Sequence, residues 1–224
     1  MTPINATVGV DLGQASDFTA IVVTERLERI TGPRADDLIG GGGTELEDVY
    51  VVRHIERAAL GTPYPAQVRQ VGRLLAAPEL VDAELVVDAT GVGRPVVDLF
   101  TEAYRRGECG NYYPRPLTIT SGNEAHGWNV PKRLLVSKVV ALAQTGRLLF
   151  ADGLPLAEVA KHELRSFSVK VSSSGNDTYE ALRERDHDDI VLAVAMSVWH
   201  RNWRTVPRGM TRDGTVIDRT TTSR

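Results

Sequence analysis

Acidic residues stand at three places where a carboxylate is hard to accommodate. Asp11 follows Val8 and Val10 at the end of an apolar run and precedes Leu12. Asp88 lies near the end of Glu84–Thr90, ELVVDAT. Asp188 and Asp189 stand directly before the apolar stretch Ile190–Val198. An ionised Asp within an apolar strand is unfavourable unless it is paired or coordinates a metal. If the first two runs are adjacent parallel strands, Asp11 and Asp88 sit side by side at their carboxyl ends, where open α/β sheets bind ligands. Carboxylates that close repel one another, and a divalent cation resolves the repulsion. Oxygen ligands without sulfur select Mg²⁺ or Mn²⁺. Two such ions can activate a water and stabilise the leaving oxygen of a phosphodiester. The chemistry indicated is metal-assisted phosphodiester hydrolysis.

Each position also has a plainer role. Asp11 in Asp-Leu-Gly and Asp88 before Ala-Thr-Gly both suit turns. Asp188 and Asp189 suit a helix N-terminus, where the dipole favours negative charge. Asp17 reads as a turn residue, with an outer supporting role as the alternative, and His187 either supports the site or caps the last helix. Lys132, Arg133 and Lys138 form either a solvated helix face or contacts to a DNA backbone. Arg183 and Arg185 either hold a phosphate or balance Asp186, Asp188 and Asp189.

These residues need a scaffold, and the pattern supplies one. Ala6–Gly13 and Phe18–Glu25 read as strands of a hairpin, and Asp48–Glu56 as a third strand. Between them Thr31–Thr44, with its Gly40–Gly43 run, reads as a loop. Val68, Val71, Leu74 and Leu75 mark a helix over Pro65–Ala77. Glu84–Thr90 has the continuous apolar character of a buried parallel strand. Pro95–Arg106 is a helix with proline in its first turn, and Tyr113–Thr120 a strand. Val130–Thr145 and Leu156–Phe167 read as helices. Phe167–Val171 and Thr178–Leu182 flank the turn SSSGND as a hairpin. Asp188–Arg201 closes the fold as a buried helix. The expected architecture is an α/β domain over residues 1–203, with a mixed central sheet and helices on both faces. Residues 204–224 read as a polar, flexible tail.

Composition constrains the partners. The chain has 224 residues, enough for one sizeable domain, and a formal net charge of -3. That charge is no global nucleic-acid signature, although a carboxylate site counted without its metal is always too acidic. Cys109 is the single cysteine, which excludes an intramolecular disulfide and a cysteine metal cluster. No apolar run is long enough to span a membrane, and Met1–Thr7 lacks signal-peptide character. The expected location is cytoplasmic.

The ordered set GVDLGQASDFTA, VVDATGVG, VPKRLLVSKVVALAQTGRLLF, LPLAEVAKHELRSF and YEALRERDHDDIVLAVAMSVW resembles the nuclease domain of the large terminase subunit of tailed bacteriophages. The resemblance runs from about Val8 to Trp199. It implies an RNase H-like (retroviral-integrase-like) fold and two-metal endonuclease activity on double-stranded DNA during genome packaging. It further implies Asp11 as the first metal ligand, Asp88 as the second, and Asp188 or Asp189 as the third, with a packaging ATPase subunit and a portal as partners. Terminase large subunits also carry a packaging ATPase. No GxxxxGK[ST] phosphate loop occurs here, so translocation is expected to reside elsewhere.

Three other functions fit part of the pattern. VGVDLGQASDFTA also looks like the first phosphate hairpin of actin-like and sugar-kinase ATPases. That reading wants a glycine two residues after the second Asp, and Asp88 is followed by Ala89 and Thr90. A Holliday-junction resolvase shares the expected fold. A catalytically silent packaging assembly module would use the same surface without cutting.

Overall fold

Strand ends and one buried helix bring the acidic positions together. The computed structural model describes residues 1–13, 17–33, 44–80, 82–91, 94–111, 113–173 and 188–199. Among these residues seven strands form one sheet: β1 (Thr2–Asp11), β2 (Ala20–Pro33), β3 (Thr44–Arg57), β4 (Glu84–Asp88), β5 (Arg115–Thr120), β6 (Asn129–Pro131) and β7 (Leu148–Phe150). Their order is β6-β5-β4-β1-β2-β3-β7. β1–β2 and β2–β3 pair antiparallel, whereas β4, β5, β6 and β7 join in parallel pairs. A β1–β2–β3 meander continued on its β1 side by parallel β4 and β5 is the RNase H-like mixed sheet expected from the sequence.

The period of two divides the strand residues between two cores. Ile21 and Val23, with Val8, Val10, Leu85 and Val87, meet α1 (Tyr64–Leu75) and α2 (Arg94–Arg105). Ala20, Val22, Val52 and Val86 meet α3 (Lys132–Gln144), α4 (Ala157–Ser173) and α5 (Asp189–Val198) on the other face. Residues Thr7–Val10 of β1 are therefore all buried, as a central strand covered on both faces must be. Among the described residues no helix is long and apolar enough to cross a membrane.

Three local expectations change. β2 and β3 run further than expected, pairing out to Pro33 and Thr44 across the ends of the segment read as a loop. Residues 34–43 lie outside the described ones. The segment read as a helix from Val130 begins instead as strand β6, and helix α3 starts at Lys132. Pro131 explains this, because its ring disfavours helical backbone at Val130. The hairpin expected at Phe167–Val171 is helix, since α4 continues to Ser173. Val169 and Val171 gave a strand signal there, but β-branching lowers helix propensity only slightly. Extending an existing helix needs no new nucleus. The partner segment Thr178–Leu182 and the tail 204–224 lie outside the described residues. Edge strand β7 has only three residues, too few for a periodic signal.

Candidate active site

Asp11 and Asp88 end adjacent parallel strands. Val10 lies opposite Val87, so the next residue on each strand delivers its carboxyl to the same edge of the sheet. Burial raises the Asp11 pKa well above the ordinary carboxylate value, and the charges of Asp88, Asp188 and Asp189 raise it further. Burial also raises that of Asp88, against hydrogen bonds from Thr90 and Asp11 and the nearby Lys132 charge. Only 7% of Asp88 is exposed. The turn role is real for one of its oxygens: the Thr90 amide donates to Asp88 Oδ1 at 2.7 Å. Thr90 Oγ1 in turn accepts the Ile119 amide at 2.6 Å. The turn therefore orients Asp88 and ties it to β5.

Helix α5 brings the third acidic position. It lies against β1 and β2, with the Thr24 and Ser197 hydroxyls hydrogen-bonded at 2.6 Å. The approach depends on Gly9, because a Cβ there would stand 2.2 Å from the Ala193 carbonyl oxygen and 3.0 Å from the Ser197 amide. Neither backbone atom can move without shifting the helix. Gly9→Ala is expected to destabilise the fold by about 1–3 kcal/mol through overpacking. Urea unfolding measures it, and an unchanged midpoint would contradict this seating of α5.

The start of α5 is capped from a distance. Glu163 of α4, 6% exposed, accepts the Val191 amide at 3.1 Å, while Asp188 makes no side-chain cap. Asp188 is thus released from the capping role its position suggested. Its carboxylate meets the Lys132 ammonium in a short ion pair. Asp189 points to Arg57, which holds both its oxygens at 2.7 and 2.8 Å. Arg57 also donates to Glu163 at 2.5 Å and lies 5.1 Å from the centre of the Phe18 ring. The two adjacent Asp residues therefore have different partners. Asp188 raises the Asp11 pKa more strongly than Asp189 does.

Other candidates are placed as follows. Asp17 is exposed and lines a cleft of about 470 Å³ with Gly13, Thr62, Tyr64 and Gly91. Arg133 donates to the Asn123 carbonyl at 2.6 Å. Lys138 lies over the Tyr50 and Trp199 rings at 5.9 and 5.6 Å, and burial holds its pKa down to about 8. His187, Arg183 and Arg185 lie outside the described residues. Among the described residues, no three His, Cys, Asp or Glu side chains converge into a ready metal cage. Asp11 and Asp88 adjoin, but Asp188 is engaged by Lys132 and Asp189 by Arg57.

Sequence reasoning missed Arg57, Glu163 and the inward role of Lys132. Asp11 lies opposite Ala20, and Ala20 opposite Arg57. That register sets Arg57 at the acidic edge, but strand pairing alone reveals it. Glu163 did leave a signal, because it shares a helical face with buried Ala160 and Leu164.

No family model matches the chain, and no curated protein matches it. Among solved structures it is similar to the large terminase nuclease from thermophilic phage G20c, at 20% identity and a TM-score of 0.48, over 86% of this chain and 80% of that one. It is also similar to the human cytomegalovirus terminase nuclease domain, at 11% identity and a TM-score of 0.45, over 86% of this chain and 81% of that one.

Proposed function

We propose that the chain is a metal-dependent endonuclease that hydrolyses phosphodiester bonds of double-stranded DNA. The observation that carries this reading is the Asp11–Asp88 pair. Buried Asp88 and half-buried Asp11, both with raised pKa values, share one sheet edge, an arrangement that strains the metal-free fold and suits a hard cation. Asp188 supplies a third carboxylate to the same charge cluster. Two divalent ions, Mg²⁺ or Mn²⁺, would supply Lewis acidity and a more acidic bound water there.

The residues of the chain have separate tasks. Asp11 and Asp88 would hold the cations. The Thr90 amide donates directly to Asp88 and the Ile119 amide donates to the Thr90 hydroxyl, and together these bonds fix the orientation of Asp88. Arg57 occupies Asp189 and leaves Asp188 as the third ligand. Glu163 keeps the first turn of α5 in place. The motif resemblance supports a place in viral genome packaging, with a packaging ATPase subunit and a portal as partners.

The test separates the two adjacent Asp residues. Asp188→Asn is expected to lower Mn²⁺-dependent plasmid cleavage by on the order of 10²–10³-fold with little change in melting temperature. Asp189→Asn should instead act mainly on stability, because it removes half of the Arg57 ion-pair network. Equal cleavage by Asp188→Asn and the unsubstituted chain would overturn this ligand set.

A further inference from the structure

Among the described residues, Arg57 and Lys132 face the acidic cluster, and they are held in different ways. Arg57 is gripped by Asp189 and Glu163 through three hydrogen bonds. A planar guanidinium with matched carboxylates is a fixed structural cation. Lys132 is a compact ammonium on a flexible stem, paired with Asp188 and acting on Asp88. Side-chain exposures of 22% for Lys132 and 27% for Asp188 leave the pair reachable from solvent.

The position of Lys132 is set by the sheet. β6 pairs with β5, with Pro131 opposite Thr120, and α3 begins at the next residue. β5 adjoins β4, which ends at Asp88. Lys132 thus enters the cluster from a rigid base on the same edge. It is also the first residue of α3, and that first turn contains no acidic residue. The helix dipole disfavours a cation there. Its station is understandable as compensation for the neighbouring carboxylates.

We propose that Lys132 is a resident competitor of the divalent cation: it neutralises Asp188 in the metal-free protein and gives that carboxylate up when metal binds. The inference rests on the metal-dependent reading above. It also fits the described residues, among which Asp188 is paired with Lys132 and does not complete a three-carboxylate cage with Asp11 and Asp88. The site then tolerates the metal-free state at the expense of affinity.

Calorimetric Mn²⁺ titration of the full chain, with thermal melting in parallel, tests this on Lys132→Met, Lys132→Gln and Lys132→Arg. Removing a charge in direct contact with a ligand should tighten Mn²⁺ binding by about tenfold for the Met and Gln variants. Both should melt lower without metal, and the gap should close at saturating Mn²⁺. The Arg variant, still cationic, should stay close to the original affinity. If the unsubstituted chain binds Mn²⁺ and neither neutral variant binds it more tightly, Lys132 is only a strut and the competitor role fails. If no form binds Mn²⁺, the metal-dependent reading itself fails.

Discussion

Asp11→Asn is expected to abolish metal-dependent cleavage, by on the order of 10³-fold or more, while making the metal-free protein more stable at pH 8. The loss of cleavage follows from removing a ligand at the centre of the cluster. The stability gain follows from the sign of the pKa shift. Asp11 and Asp88 are both raised above their ordinary value of 3.8. An acid raised in the folded state contributes stability that is fully present below the unfolded value. That contribution is lost as pH rises through the folded value. As the pH rises above that ordinary value, the metal-free fold therefore loses stability through this pair. Asparagine removes one charge, keeps the shape and can still donate to Asp88. Each kcal/mol recovered raises the melting temperature by roughly 2–4 °C in a domain of this size.

The pH profile isolates the cause. Glu163, whose burial pushes its pKa up to about 7, also weakens the fold as pH rises from its ordinary 4.5 through that value. It does so in both proteins, so their difference reports on the carboxyl pair. Metal-free melting of the unsubstituted chain should fall more steeply above pH 4 than that of Asp11→Asn. Saturating Mn²⁺ should rescue only the former. A variant less stable than the original at pH 8 without metal would remove the argument for repulsion at this site.

The ends of β1 and β4 were legible in the sequence because apolar runs give strands and an Asp at the end of such a run is conspicuous. Their adjacency was an expectation of the mixed-sheet topology, and the Val10–Val87 register bears it out. The different partners of Asp188 and Asp189 were not legible. They depend on Arg57 and Lys132, which lie far apart in sequence and enter from different elements. An ion pair between distant residues leaves no local period. The hairpin expected at Phe167–Val171 failed for a related reason: local β-propensity is weak against continuation of a helix already formed. Gly9 shows the same limit, since a glycine inside a strand suggests close approach without saying that α5 makes it.

Replacing Arg57 should be the most damaging single change to stability among these residues. The Arg57 side chain is 16% exposed, and its partners Glu163 and Asp189 are 6% and 8% exposed. Arg57→Met preserves much of the stem but leaves two buried carboxylates facing each other without a cation. Breaking a buried ion pair from one side is expected to destabilise by about 3–5 kcal/mol, mostly through the stranded charge. The loss should be largest at high pH and shrink as the pH falls and the unpaired carboxyls take up protons. Glu163→Gln in the Arg57→Met background should restore part of it, because an amide oxygen can still accept the Val191 amide at the start of α5. Urea unfolding of the single and double variants at pH 5 and pH 8 measures both effects. A single variant within about 1 kcal/mol of the original at pH 8 would mean that water screens the cluster as it does a surface pair. Arg57 would then have no claim to hold Asp189 away from the Asp11–Asp88 pair.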